Sequence, residues 1–117
     1  MSVIDDLQEL EHGDRVRLAI DGGNYSGVVT EYYHEPLEYE NGIPINGSLR
    51  IGVELDNETV DRTDVKTHTL AIDSKEKRGG FTDPEATIWE PATDDSDRIV
   101  GDEYRTLGVV KSVEVVE

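Results

Sequence analysis

The chain has 117 residues and carries 27 aspartate and glutamate residues against 11 lysine and arginine residues, a formal net charge of −16. This length suggests one domain, which we place over residues 1–117, and the absence of cysteine excludes disulfides and thiolate chemistry. No apolar run approaches the roughly 18 residues of a membrane span, and the N-terminus shows no signal-peptide pattern, so we expect a cytoplasmic protein.

A short N-terminal helix is predicted over residues 1–13. Ser2 fits its N-cap, and Gly13 fits the position just beyond its last turn. Apolar residues recur at helical spacing at Ile4, Leu7 and Leu10. One apolar stripe on so short a helix needs a docking surface, which we expect to be an open end of a β-structure.

The next segment predicts a β-hairpin. Residues 14–20 alternate, so that Val16, Leu18 and Ile20 face one way while Arg15 and Arg17 face the other. A glycine-rich turn at 21–24 accepts the positive φ angles that a tight hairpin needs. The return strand is predicted over 25–33, with a bulge or sharp bend at Gly27.

The remainder of the chain, residues 14–117 as a whole, is predicted to be β-structure with long connections. Pro, Gly and Asn predict long loops at 34–47 and 73–84, and a small hairpin within the first of them is the alternative. Further strands are expected at 48–55, 65–73, 86–89 and 104–116, with the third of these ended by Pro91 and a bend in the last at Gly108. Five to six short strands separated by turns indicate a barrel or sandwich.

Alternation within these strands also predicts the core. We expect Trp89 to be largely buried with its indole N–H bonded, because a buried indole needs a partner. The aliphatic positions expected to share one core are Val16, Leu18, Ile20, Leu49, Ile51, Val53, Leu55, Val109 and Val113.

Residues 4–29 resemble the start of an Sm-like domain. The likeness lies in the short helix, in Gly13-Asp14-Arg15-Val16-Arg17-Leu18 with its glycine turn, and in Tyr25-Ser26-Gly27-Val28-Val29. The openings of KOW, Tudor and other SH3-like barrels are similar. The resemblance implies a small, strongly bent β-barrel that binds RNA, ribonucleoprotein or peptide. It does not carry the Sm-like RNA pocket with it, because the Asp-x-apolar-Asn element is absent and Val100 stands where the second motif has arginine.

The acidity predicts adaptation to high salt. Abundant acid and scarce lysine resemble proteins of halophilic archaea, and the acids are spread through the strands rather than gathered in a tail. At molar salt the Debye length falls to about 3 Å, which screens repulsion between them.

Enzyme and metal motifs are not visible in the sequence. His12, His34 and His68 lack metal-ligand spacing, and Asp94-Asp95-Ser96-Asp97 lacks the glycine and the distal glutamate of a calcium loop. No nucleophile elbow or phosphate loop is present. We therefore expect no catalytic residue, no metal and no cofactor, and we rank a small hydrolase lowest among the functions considered.

Basic and aromatic residues supply the candidate binding site. A basic cluster near 75–78 suits phosphate contacts, and aromatic side chains beside arginine stack bases. The alternative for the cluster is a solvated loop tip, and the alternative for the tyrosines is that one lies in the core and the other at its rim. The predicted nucleic-acid-binding residues are Arg15, Arg17, Tyr32, Tyr33, His34, Lys75, Lys77 and Arg78.

The function expected from these patterns is a non-enzymatic binding module, adapted to high salt, that acts on RNA or a ribonucleoprotein. The alternative is a protein–protein interaction or assembly module without nucleic-acid binding. The sequence leaves the oligomeric state open.

Overall fold

A computed structural model describes residues 3–63 and 65–116, and most of them lie in strands. The helices are α1 (Val3–Gln8) and α2 (Asn57–Arg62). The strands are β1 (Arg15–Ile20), β2 (Gly23–Glu40), β3 (Ile43–Leu55), β4 (Thr69–Lys77), β5 (Gly80–Phe81), β6 (Glu85–Thr93) and β7 (Ile99–Val116). The protein is therefore mostly β with a short N-terminal helix, as predicted, but its sheet has seven strands rather than five to six. Ser2, the predicted N-cap, lies outside the described residues.

The strands form one antiparallel sheet. Its order is β3-β2-β1-β7-β6-β4-β5, and β3 additionally pairs with β4 from Ser48↔Lys75 to Glu54↔Thr69. The pairings therefore run β1–β2–β3–β4–β6–β7 and return to β1. No helix within residues 3–63 or 65–116 is long and apolar enough to cross a membrane.

The core confirms the register predicted for β1 and β3. Helix α1 ends at Gln8, earlier than the predicted bounds of 1–13. Its Leu7 is buried and its Ile4 packs against the same core, so the helix docks through its apolar side, and Leu10 just beyond its end is buried as well. The buried positions predicted on β1 and β3 are Val16, Leu18, Ile20, Leu49, Ile51, Val53 and Leu55. These side chains are buried on alternate residues because successive positions of a strand face opposite sides.

Strand β7 departs from the predicted alternation. Val113, which pairs with Leu18, packs against the core as predicted although it is only partly buried, whereas Val109 lies outside the core cluster and its neighbour Val110 is buried instead. The reason is a bulge: Ala19 pairs with Ser112 but Ile20 pairs with Val110, so Lys111 is an extra residue that shifts the inward side of the strand.

Trp89 also differs from its prediction in part. The indole Nε1 donates a hydrogen bond to Asp102 Oδ1 at 3.0 Å, as expected, but the residue is half-buried rather than buried. It lies on β6 beyond the last position that pairs with β4, where only β7 flanks it.

The loop predicted at 34–47 is wrong, because most of the segment belongs to β2 and β3, and the alternative of a hairpin within it is confirmed. These strands continue outward as a two-stranded ribbon joined at Asn41 and Gly42, whose φ angles of 53° and 78° suit a tight hairpin turn. Pro36 and Pro44 are tolerated because this part of the ribbon pairs on one side only.

The predicted loop at 73–84 is also largely strand. Residues up to Lys77 belong to β4, and a turn at Arg78 and Gly79 leads into β5. The strand expected at 65–73 therefore begins and ends later in the chain, and α2 (Asn57–Arg62), which was not predicted from the sequence, lies between β3 and β4. Pro91 does not end β6, since the strand continues to Thr93 along β7.

Candidate functional site

Arg15 and Arg17 project outward from β1, as their alternation predicts. Arg15 Nη1 lies 3.0 and 2.9 Å from the carboxylate oxygens of Asp56. Arg17 Nη1 lies 3.8 Å from Glu114 Oε2. Both guanidinium groups therefore face a carboxylate already present in the protein.

The strand register separates these arginines from Tyr33 and His34. Arg15 pairs with Val28, in the first half of β2, whereas Tyr33 lies in the second half and pairs with Arg50 of β3. A register shift between Val29 and Glu31 marks the change of partner. Because β2 is far longer than β1, these predicted nucleic-acid-binding residues are divided between two parts of the sheet.

The two tyrosines face opposite sides of β2. Tyr32 packs against the core, and its hydroxyl donates to the Gln8 carbonyl oxygen at 3.2 Å. Tyr33 points outward with 44% of its surface exposed. A hydrogen bond to the Glu35 carboxylate raises the pKa of Tyr33 above its usual value. Tyr32 thus supports α1, and only Tyr33 of the pair is open to a ligand.

His34 is half-buried where β2 approaches the end of β4. Its ring centroid lies 6.0 Å from that of Phe81. Its Nε2 lies 3.8 Å from Glu76 Oε1 and has no hydrogen-bond partner among the described residues. The same Glu76 oxygen accepts a hydrogen bond from the Leu37 backbone N–H at 2.9 Å. Glu76 therefore connects β4 to β2.

The basic cluster sits on an ordered strand end. Lys75 and Lys77 belong to β4, and Arg78 begins the turn that follows. Pairing between β3 and β4 stops at Lys75, because Asn46 and Gly47 turn the β3 backbone away with φ angles of 63° and 84°. A cleft opens there between the β2–β3 ribbon and β4.

We name this feature the basic cleft. It encloses about 400 Å³. Tyr39, 49% exposed, forms one wall, and Arg78 Cζ lies 5.9 Å from the centre of its ring. The side chains and backbone that line the cleft belong to Leu37, Tyr39, Pro44, Asn46, Gly47, Lys75, Glu76, Lys77 and Arg78.

The charges of the cleft differ from those of the arginines on β1 and β3. Within residues 3–63 and 65–116, no carboxylate lies within 4.0 Å of the side-chain nitrogens of Lys75, Lys77 or Arg78. By contrast, Arg15 and Arg50 each form an ion pair at 2.9 Å. The cleft therefore concentrates positive charge that a ligand can use, in a chain of net charge −16.

Tyr39 is the site residue that sequence reasoning missed. The sequence feature that could have revealed Tyr39 is the Asn41-Gly42 pair, which is typical of a two-residue hairpin turn. A ribbon built on that turn pairs Tyr39 with Pro44 and brings both to the same side. The assignment of 34–47 to a loop concealed this alternation.

No set of metal ligands emerges from the parts of the chain that the structure describes: no group of three or more histidine, aspartate or glutamate side chains is placed to hold an ion. Comparisons with protein-family models, with curated proteins and with solved structures find no match. The site must therefore be interpreted from its own geometry.

Proposed function

We propose that the protein is a non-enzymatic binding module that takes single-stranded RNA in the basic cleft and works at high salt. The observation that carries this proposal is the set of unpaired cations beside the exposed ring of Tyr39. Phosphates are attracted to lysine and arginine, and any base can stack on an aromatic ring.

The architecture proposed for this module is a small, bent barrel of the SH3-like or Sm-like kind. Its support is the circuit of pairings that returns to β1, together with the register shifts in β2 and β7 that bend a sheet. One fold serves many functions, so this likeness supports only the proposed architecture. The proposal of RNA binding rests on the residues of the basic cleft.

The proposal narrows the predicted contact residues. Lys75, Lys77 and Arg78 remain as phosphate contacts, and Tyr39 replaces Tyr32 as the stacking platform. Tyr33 and His34 lie on β2 outside the lining of the cleft, and His34 approaches the cleft only through Glu76, whose Oε1 lies 3.8 Å from His34 Nε2. Arg15 and Arg17 contribute least, since their charges are offset by Asp56 and Glu114.

Salt concentration changes how much the basic side chains and Tyr39 each contribute to the binding free energy. Attraction between phosphate and lysine falls steeply as salt rises, because counterions released on binding gain less entropy when they enter a more concentrated salt solution. Stacking on an aromatic ring is far less sensitive to screening. At molar salt we therefore expect Tyr39 to supply most of the binding free energy, with the cations orienting the backbone.

The test is fluorescence anisotropy of a labelled ten-nucleotide oligouridine, titrated with the full chain in 2 M KCl. Tyr39→Ala should weaken binding by about 5- to 100-fold, the loss expected for one stacked base. Lys75→Gln with Lys77→Gln should weaken binding mainly at lower salt. The matched control is Tyr33→Ala, an exposed tyrosine on the same strand outside the lining of the cleft.

Two results would overturn the proposal, one by rejecting the basic cleft as the binding site and the other by rejecting RNA as the ligand. Equal losses from Tyr39→Ala and Tyr33→Ala would show that RNA does not bind in the basic cleft. Absence of binding by the wild-type chain at every salt concentration that keeps it folded would reject RNA as the ligand. Protein–protein interaction would then become the leading function.

That second candidate has an observation of its own. Ile99 and Val100 are neighbours near the start of β7, where Val100 is the extra residue of a bulge opposite Ala92 and Thr93, and both are more than half exposed. A two-stranded ribbon with adjacent exposed apolar side chains suits contact with another protein. Sedimentation of the chain at high salt, alone and after Ile99→Ser with Val100→Ser, tests whether the ribbon assembles copies of this chain.

A further inference from the structure

A second groove lies on the outer face of the sheet, away from the basic cleft. It encloses about 310 Å³. Its floor contains Gly52 of β3 and Ala71 of β4, which pair directly across the two strands. Small side chains at this pair leave the backbone of the sheet open to a ligand. We name this feature the outer groove.

Glu31 borders the floor of the outer groove. A Cβ atom placed on Gly52 would lie 3.1 Å from Glu31 Cβ and 3.5 Å from Glu31 Oε2. The carboxylate therefore lies beside the open backbone at Gly52. Glu54, which also lines the groove, is exposed on the same outward side of β3.

The charge of the outer groove is negative. Its lining includes one arginine, Arg50, whose Nε lies 2.9 Å from Asp73 Oδ1. The hydrogen bond to Asp73 raises the pKa of Arg50 above its usual value, and Glu31 adds to the effect. Neither Glu31 nor Glu54 has a basic nitrogen within 4.0 Å in the described part of the chain. Two carboxylates therefore remain without an ion-pair partner.

Tyr104 provides the aromatic wall. It is 67% exposed, and it pairs across β6 and β7 with Trp89. An exposed tyrosine ring beside carboxylates attracts a cation through its negative face and repels an anion. Phosphate-bearing ligands are excluded here on charge, so the outer groove is separate in chemistry from the basic cleft.

We propose that the outer groove binds an arginine side chain from a basic segment of a partner protein. The planar guanidinium stacks on Tyr104 and is paired by Glu31 and Glu54. Arginine fits better than lysine, because its flat, delocalised cation both stacks on rings and forms paired hydrogen bonds with carboxylates. This inference goes beyond RNA binding and does not depend on it.

The experiment uses the full chain in 2 M KCl, where non-specific attraction to net negative charge is screened. The probe is a fluorescein-labelled Gly-Arg-Gly-Arg-Gly peptide, with the corresponding lysine and glutamate peptides for comparison. Binding is measured by anisotropy. Emission from Trp89, the single tryptophan of the chain, reports whether the peptide binds beside Tyr104.

We expect the arginine peptide to bind more tightly than the lysine peptide, and the glutamate peptide not to bind. Tyr104→Ala should weaken binding by about two- to fivefold, while Tyr104→Phe, which keeps the ring, should retain it. Glu31→Gln with Glu54→Gln should weaken binding further. The matched control, Glu9→Gln with Glu40→Gln, removes the same charge from exposed positions outside the lining of the groove.

Three outcomes would overturn the inference. The first is equal loss of binding in the groove variant and in its charge-matched control, which would mean general electrostatic attraction. The second is unchanged binding in Tyr104→Ala. The third is peptide binding without any change in Trp89 emission, which would place the peptide elsewhere. Circular dichroism of each variant checks that its fold is intact.

Discussion

Gly27 allows β2 to approach β3 more closely than any side chain permits. A Cβ atom at this position would lie 2.3 Å from the Glu54 carbonyl oxygen and 2.8 Å from Val53 Cγ1. The sequence predicts a bulge or bend at Gly27, but the register shift falls between Val29 and Glu31. The glycine is required because backbone atoms of the neighbouring strand occupy the space of a methyl group.

We predict that Gly27→Ala destabilises the protein by about 1–3 kcal/mol, the usual range for inserting a methyl group into a packed site. The matched control is Gly101→Ala, because a Cβ there would meet nothing within 4 Å. That control should change stability by less than about 1 kcal/mol. Urea unfolding at constant high salt measures both. Similar free energies of unfolding for the two variants would contradict the proposed close approach.

The β6–β7 ribbon is closed by hydrogen bonds to one carboxylate. Asp94 Oδ1 accepts from the backbone N–H groups of Ser96 at 2.8 Å and Arg98 at 3.1 Å. Asp94 Oδ2 accepts from Arg98 Nε at 3.1 Å. The backbone hydrogen bonds from Arg98 and Ser96 lower the pKa of Asp94 below its ordinary value of 3.8. The turn therefore depends on the charged form of this side chain.

This lowered pKa sets the sign of the pH dependence. The frayed ribbon binds a proton more readily than the ordered one, so order in the turn increases with pH. The contribution is fully present above pH 3.8 and is lost as the pH falls through the lower pKa of the ordered turn. Amide-exchange protection factors at Ser96 and Arg98 should therefore decrease on acidification, while those of Leu18 in the core persist.

Substitution of Asp94 separates the loss of its hydrogen bonds from general unfolding of the protein by acid. Asp94→Ala should remove protection at Ser96 and Arg98 at every pH. Asp95→Ala, at the exposed neighbouring position, should leave protection unchanged. Loss of protection in both variants would show that net charge, rather than the hydrogen bonds of Asp94, orders the turn.

At the scale of the whole molecule, charge repulsion opposes folding. A net charge of −16 on 117 residues raises the free energy of the compact state relative to the expanded chain. The Debye length falls from about 30 Å at 0.01 M salt to about 3 Å at 1 M, so most of this repulsion disappears at molar salt.

We predict that the unfolding temperature rises from dilute buffer to molar KCl, as followed by circular dichroism. A variant with Glu9→Gln, Glu40→Gln and Asp95→Asn, all at exposed positions, should be more stable than wild type in dilute buffer. The difference should shrink as salt increases, because screening acts on the same repulsion. An unfolding temperature independent of salt would contradict the predicted adaptation to high salt.

The sequence alone determined the features that depend on neighbours along the chain. Alternation at Val16, Leu18 and Ile20 predicted the inward face of β1, because side chains of a strand point to opposite sides whatever the strand pairs with. Helical spacing of Ile4 and Leu7 predicted the side of α1 that packs against the core in the same way. The basic cluster around Lys75 could also be predicted from the sequence, because its residues are neighbours along the chain.

Only the tertiary structure decided which of these features meet. Prolines in 34–47 indicated a loop, but a ribbon paired on one side tolerates them, and this ribbon brings Tyr39 to Arg78. The extra residue Lys111 reversed the alternation of β7, because a bulge is set by the partner strand. Arg15 was outward as predicted, yet the neighbour that neutralises it, Asp56, is distant in sequence. Contacts of this kind depend on strand order and register, which local patterns do not encode.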